Sequence, residues 1–248
     1  MKVAALYDIH SNLPALEAVL ADVHRAGVDL IVVGGDVVPG PMPGETLALL
    51  RALEIPTACI HGNGDREVLN QRAGRPVSVP DAFRWMIDWS ADQMSADDER
   101  WTAGWPLTQR IAIDGLGEVL FCHATPRNDL EIFTRLTPDE KLLPIFDPLD
   151  VPLVVCGHTH MQFDRAVGRT RVVNAGSVGM PFAEPGAYWL LLGPGVQLKR
   201  TDYDLHGAAA RLRASAYPEG ETFAAQQVLR PPSEAQMLLT FSQAELQP

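Results

Sequence analysis

Three short apolar runs in the first sixty residues are separated by segments of helical periodicity. That alternation restricts the fold more than any other feature of the chain. Val3–Tyr7, Leu30–Val33 and Thr57–Ile60 read as strands. Between the first two, Leu13, Leu16, Val19, Leu20 and Val23 recur at helical spacing, with Ser11 or Asn12 as N-cap, Pro14 in the first turn and Gly27 as the stop. Glu45–Leu53 reads as a second helix. Strand–helix–strand order predicts parallel pairing through right-handed crossovers.

The second half changes character. Arg110–Ile113 and Glu118–Cys122 flank the turn sequence Asp114-Gly115-Leu116-Gly117 and predict a hairpin. Leu153–Cys156, Gln162–Val167, Thr170–Val173, Ala187–Leu192 and Val196–Arg200 predict further strands. A mixed half followed by a largely β half predicts an α/β (α+β) fold of two facing mixed sheets in one domain, with helices outside. The expected domain is 1–204, with 205–248 a C-terminal helical extension loosely held from Pro231-Pro232 onward. Within 78–105, Trp85/Trp89 and Trp101/Trp105 are each four apart, the spacing that puts two rings on one helix face. They predict two helices docking aromatic faces onto the sandwich, or, more sharply, a cap that shapes a substrate pocket.

Charge narrows the function. Across 248 residues, 20 Lys and Arg stand against 31 Asp and Glu, a net charge of −11. Binding of a nucleic-acid duplex through a basic face is excluded, and any anionic substrate must be drawn by a local feature. No run approaches the roughly 18 apolar residues of a membrane span. The N-terminus passes straight from apolar residues to Asp8 and His10, without a small-residue cleavage site. Cys59, Cys122 and Cys156 are odd in number and end apolar runs, so they read as buried reduced thiols of a cytoplasmic protein.

Five polar pieces carry chemistry: Asp8-x-His10, Gly35-Asp36, Gly62-Asn63, His123 and Gly157-His158-Thr159-His160. Each follows a strand-like run, and functional groups meet at the carboxyl ends of such strands. Residues two apart in an extended segment share a face, so Asp8 with His10, and His158 with His160, can converge. Glycine before Asp36, Asn63 and His158 suits sharp reversals or close backbone approach. Singly, each piece has a bland explanation: a turn for Gly-Asp, a satisfied core histidine for His123. Together they offer two carboxylates, one amide and four imidazoles, with no thiolate. That is more than one ion needs and enough for two, of a kind suited to Mn²⁺, Fe²⁺/³⁺, Zn²⁺, Co²⁺ or Ni²⁺.

In this order the pieces resemble the D-x-H, G-D, G-N, H, G-H-x-H pattern of the calcineurin-like metallophosphoesterase superfamily, and within it the small bacterial phosphodiesterase branch. The resemblance spans Met1 to Pro181 and includes Asn174-Ala175-Gly176-Ser177-Val178-Gly179. It implies a four-layer sandwich and two divalent metals about 3.5–4 Å apart, Mn²⁺ foremost. One metal would take Asp8, His10, Asp36 and His160. The other would take Asp36, Asn63, His123 and His158, with Asp36 bridging. Asp36, Asn63 and His123 would then form the catalytic centre around a metal-bridging hydroxide that attacks a phosphate ester in line. Two ions bring about +4 and Asp8 with Asp36 return about −2, which makes a positive pocket in a negative chain.

The pattern departs at one place. Many members carry His after the Asn, whereas this chain reads Gly62-Asn63-Gly64-Asp65-Arg66. A side-chain general acid is therefore open, and leaving groups that are already good, or stabilised by metal, are favoured. His61 is a substitute or a strand-end packing residue. Asp65 and Arg66 form a pair supporting Asn63, or else Arg66 or Arg127 grips a phosphate oxygen. His24 and His206 read as surface residues. The expectation is a metal-dependent phosphoesterase acting on a small phosphorylated, nucleotide-like substrate, a phosphodiester first. It needs no membrane, and homo-oligomerisation is left open. The alternatives are hydrolysis of a dinucleoside polyphosphate anhydride or of a phosphomonoester, and a non-catalytic scaffold on the same fold. The complete set of seven donors argues against the scaffold.

Overall fold

The computed structural model describes residues 1–246. The first sheet holds β1 (Val3–Leu6), β2 (Leu30–Val33) and β3 (Thr57–Cys59) in parallel, joined by α1 (Leu13–Ala26) and α2 (Pro43–Arg51). Two late strands, β9 (Ala187–Leu192) and β10 (Val196–Thr201), return antiparallel beside β1, giving the order β10-β9-β1-β2-β3. The second sheet is ordered β4-β5-β6-β8-β7. It starts with the hairpin β4 (Thr108–Ile113) and β5 (Gly117–Cys122), and continues with β6 (Leu153–Cys156), β7 (Phe163–Val167) and β8 (Thr170–Asn174).

Side-chain alternation sorts the residues into layers. Val3, Ala5, Tyr7 and Val32 face Phe121, Val155 and Val173 between the sheets. Ala4, Leu6, Ile31, Val33 and Trp189 face the other way, onto Leu16, Val19 and Val23 of α1 and Leu47 and Leu50 of α2. Behind the second sheet, Leu120, Val154 and Cys156 pack on Leu142, Ile145 and Phe146 of α6 (Asp139–Phe146). The result is helix, sheet, sheet, helix. Tyr7 ties the two sheets: its hydroxyl donates to the Val155 carbonyl at 3.1 Å.

Two helices escape a reading of periodicity. α3 (Asn63–Arg72) begins at Asn63 itself, with Val68 and Leu69 as its buried aliphatic residues and Asp65 and Glu67 buried beside them. α6 carries Pro144 inside it. The tryptophan region divides. Trp101 on α5 (Ala96–Ala103) and Trp105 just past its end meet edge-to-face at 5.0 Å and pack with the core of the first sheet. On α4 (Asp81–Gln93), Trp85 and Trp89 instead meet Tyr217, at 5.3 and 5.8 Å.

Tyr217 belongs to the C-terminal segment, made of α7 (Leu205–Arg213), α8 (Gly220–Phe223), a π-helical stretch (Ala224–Leu229) and α9 (Glu234–Ser242). The expected looseness after Pro232 does not hold over the described residues. Leu238 packs with Met161 and Phe182, and Glu245 accepts from Thr137 Oγ1 at 2.6 Å and Lys141 Nζ at 3.0 Å. Residues 247–248 of the expected extension lie outside the described residues. The three cysteines are unpaired and buried. Among the described residues no helix is long and apolar enough to cross a membrane.

Phe121 is fully buried between the sheets. Phe121→Ala is expected to cost about 3–5 kcal/mol of stability, read as a fall in the urea midpoint at constant slope. An unchanged midpoint would contradict this packing.

Candidate metal centre

The loops after β1, β2, β5 and β6 and the first turn of α3 meet at one end of the sandwich. The sequence suggests that Asp8/His10 and His158/His160 converge because extended residues two apart share a face. The structure reaches convergence differently. Asp8, His10, Ser11, Asp36, His158 and His160 all have left-handed backbone, with φ between 46° and 66°. Outside this cluster Leu246 is the only other described non-glycine residue with positive φ. Such conformations cost of order 1–3 kcal/mol each and persist where surroundings impose them.

The surroundings are hydrogen bonds. The β1 and β2 loops run side by side, with Asp8 N donating to the Gly35 carbonyl at 3.1 Å, His10 N to Asp36 at 2.9 Å and Ser11 N to Val37 at 2.8 Å. Ser177 Oγ and Gly179 N donate to the Asp8 carbonyl, at 2.7 and 3.0 Å. Asn174 Nδ2 donates to the Gly157 carbonyl at 2.6 Å and to Thr159 Oγ1 at 3.1 Å, fixing the turn that carries His158 and His160. Asn174 and Ser177 were visible in the sequence only as part of a familiar run, without a role.

Asp65 is the largest omission. Its Oδ2 accepts from Asp36 N (2.8 Å) and Gly62 N (3.0 Å), and its Oδ1 from Val37 N (3.0 Å) and Val38 N (3.1 Å). It is therefore not the partner of Arg66, as the sequence reading allowed, but a clamp joining the β2 loop to the start of α3. Burial, then the neighbouring Asp36 carboxylate, push it up to about 7, against the pull of the Gly62 and Val38 N–H groups. Close approach makes this clamp feasible. A Cβ on Gly62 would lie 2.1 Å from Asp36 Oδ1.

At the centre, Asp8, His10 and His160 present ligand atoms within 4.8 Å of one another, as do Asp8, Asp36 and His123. Asp8 Oδ1 lies 3.3 Å from His160 Nε2 and 3.9 Å from His123 Nε2. Asp36 spans the same gap, with Oδ2 3.8 Å from His10 Nε2 and Oδ1 3.5 Å from His123 Nε2. Asn63 Oδ1 is 3.1 Å from His123 Nε2. Turning that amide over would put its nitrogen 3.0 Å from His158 Nδ1, so the group reaches both imidazoles. All seven candidate donors are thus gathered in one place.

Each imidazole is anchored by its other nitrogen to a backbone carbonyl: His10 Nδ1 to Pro39 (3.3 Å), His123 Nδ1 to Gly34 (3.0 Å), His160 Nδ1 to Met180 (2.7 Å) and His158 Nε2 to Leu130 (3.2 Å). A carbonyl only accepts, so those nitrogens donate and, in each neutral ring, the opposite nitrogen turns its lone pair inward. His10 Nε2 and His160 Nε2 then face each other at 3.1 Å. Two lone pairs at that distance repel unless a cation lies between or beside them. Asp8 Oδ2 accepts from His158 N at 2.9 Å, but Asp8 Oδ1 is buried without any hydrogen-bond partner. The orphaned oxygen and the facing nitrogens fit divalent cations.

The local field has the same sign. Burial opposes ionisation of Asp8 and Asp36, yet the imidazoles outweigh it, His160 first for Asp8 and His123 first for Asp36, and hold both below the usual carboxylate range. Burial likewise opposes a charged His123, but Asp36 and Asp8 raise it to about 10. His158, pressed down to about 4 by burial and by His123, stays neutral. The pocket favours positive charge.

The three residues expected at the substrate have other partners or neighbours. Arg66 is bidentate to Asp129, at 2.8 and 3.2 Å, and also donates to Glu67 at 2.7 Å. Arg127 is paired with Glu131. His61 sits 5.9 Å from the Trp105 ring and, with Arg66, lines a separate cavity that contains none of the seven donors.

Asp65→Asn presents an NH₂ group to backbone donors that require acceptors. It is expected to cost about 3 kcal/mol and to weaken metal uptake, checked by urea unfolding and by metal titration. A variant as stable as the parent would remove the clamp.

Comparison with known proteins agrees with this geometry. A family model described as the calcineurin-like phosphoesterase superfamily domain matches residues 1–192. An uncharacterised protein of Methanocaldococcus jannaschii is 28% identical over 237 residues, covering 88% of this chain and 94% of its own length. Among solved structures, a metallophosphoesterase from Sphaerobacter thermophilus superposes with a TM-score of 0.68 at 28% identity, covering 91% of this chain and 98% of that one. A hypothetical protein from Pyrococcus horikoshii shares the fold at a TM-score of 0.78 and 20% identity, over 90% of this chain and 97% of the other. With the match covering most of its length, this chain belongs to the calcineurin-like phosphoesterase superfamily and is a phosphoric ester hydrolase.

Proposed function

We propose that the chain is a phosphodiesterase working with two divalent transition metals, Mn²⁺ foremost. One metal would be held by Asp8, His10, Asp36 and His160, the other by Asp36, Asn63, His123 and His158. The observation that carries this reading is the pair of inward imidazole nitrogens, His10 Nε2 and His160 Nε2, 3.1 Å apart beside the unpartnered Asp8 Oδ1. When bound, the two cations supply Lewis acidity: they lower the pKa of water to about 7 and offset charge on the phosphoryl oxygens.

The chain's own residues then do four things. Asp36 holds both halves of the site in fixed relation, because its two oxygens face His10 and His123, and Gly64 N steadies Oδ1 at 2.7 Å. Asn63, at the first turn of α3, aims its amide at the half of the site bounded by His123 and His158. The carbonyl anchors keep all four imidazoles in the orientation that binds a cation. Asp8 and Asp36 confine the positive charge to a small volume inside a chain of net charge −11.

The missing histidine after Asn63 also has a structural counterpart. A Cβ on Gly64 would lie 2.5 Å from the Val38 carbonyl and 2.7 Å from Pro39 Cδ. This backbone therefore leaves no room for a side chain where relatives place a group suited to protonating the leaving oxygen. Departure of that oxygen then rests on its own stability, which favours diesters with acidic leaving groups.

Three measurements follow. Stripping the metals is expected to abolish hydrolysis of bis(4-nitrophenyl) phosphate, and Mn²⁺ to restore it. Asp36→Asn is expected to lower turnover at least about 10³-fold and to reduce bound metal measured by elemental analysis; near-normal turnover would end the two-metal reading. Across methyl aryl phosphodiesters, turnover should fall steeply as the leaving phenol becomes less acidic. A flat series would require a general acid that this geometry does not provide.

A further inference from the structure

Beside His10 the site opens into a cavity of about 400 Å³, a size that takes a ring system or a nucleoside-like group. One wall is α4 and the opposite wall is the C-terminal α8 with its π-helical continuation. Phe83, Trp85, Met86, Met180, Tyr217 and Phe223 are among the residues that line it. Phe83, 53% exposed, is the most open of these aromatic side chains. Gln227, in the π-helical stretch, also lines the cavity and has an Oε1 without a hydrogen-bond partner, an unspent acceptor. Such π-helical stretches are frequent at functional sites.

The charges are equally informative. No lysine or arginine lines the cavity, and its one carboxylate is Glu219. A second or third phosphate placed there would find no cation and one carboxylate. An aromatic ring would find indole, phenol and thioether surface.

The geometry points to one substrate class for the proposed phosphoesterase: a phosphate diester whose single phosphate lies at the candidate metal centre and whose neutral aromatic or heteroaromatic group fills the cavity between α4 and the C-terminal wall. This rests on the reading of the site given above and deepens it. It sets aside the dinucleoside polyphosphate alternative, whose extra phosphates have no place to lie.

The test uses two non-hydrolysable probes that differ only in the ring. Isothermal titration of phenylphosphonate and methylphosphonate into the Mn²⁺-loaded protein is expected to give at least about tenfold tighter binding for the phenyl compound. Ala82 lies on the cavity wall from α4 and Thr222 on the wall from α8, both with exposed side chains, so bulk can be added without removing core packing. Ala82→Trp and, independently, Thr222→Trp are expected to cut that preference below about threefold. Methylphosphonate affinity serves as the internal control for an intact metal site. Adenosine 5′-diphosphate is expected to bind no more tightly than adenosine 5′-monophosphate.

Equal affinity for the two phosphonates in the parent protein overturns the proposal, as does a ring preference that survives both tryptophan variants. Tighter binding of the diphosphate overturns its single-phosphate part. Binding is measured without turnover, so the two readings fail separately. Ring preference without diester hydrolysis would count against the phosphodiesterase reading, whereas hydrolysis without ring preference would count against the cavity's role.

Discussion

Two carboxylates and four imidazoles share a space a few ångströms across, five of the six buried from solvent. Everything else at this end of the molecule serves that crowding. Mutual attraction between Asp8, Asp36 and the charged form of His123 lowers the carboxylates and raises the imidazole. It does not satisfy Asp8 Oδ1, nor does it separate the facing nitrogens of His10 and His160. A constellation so arranged is uncomfortable alone and settles when positive charge enters.

The scaffold holds this arrangement from both sheets. Asp8, His10 and Asp36 come from loops of the first sheet, His123, His158 and His160 from loops of the second, and Tyr7 fastens one to the other immediately before Asp8. Asp65 closes the β2 loop onto α3 with four backbone bonds, and Asn174 and Ser177 close the remaining two loops. Strained left-handed residues are affordable because each sits inside such a network.

Much of this was legible in the sequence, and the reasons differ by element. The strands and α1 could be read because apolar period and caps agree there; Asn12 does cap α1, accepting from Ala15 N at 3.3 Å. The convergence of the seven candidate donors could be read because they recur at strand ends in a fixed order. α3 could not, since NGDREVLNQR buries charged residues where a helix face should be apolar. Nor could the role of Asp65, whose partners are backbone groups and leave no mark on spacing. Arg66 and Arg127 resembled phosphate grips in the sequence, and only the fold shows which carboxylates they face. The convergence of Asp8 with His10 was anticipated from extended geometry and arises instead from left-handed backbone. Pattern located the residues but not the conformation.

The segment beyond β10 supplies part of the cavity beside the candidate metal centre. Residues 1–192 carry the family match and all seven donors, whereas one face of the neighbouring cavity is built from residues 217–227. On the proposed reading, part of the selectivity is thus written in a different stretch of the polypeptide from the candidate metal ligands. The terminal stretch can drift, trading one side chain for another across the gap from Phe83 and Trp85, while the reactive end stays untouched. A lineage built this way can change its diet without relearning how to cut.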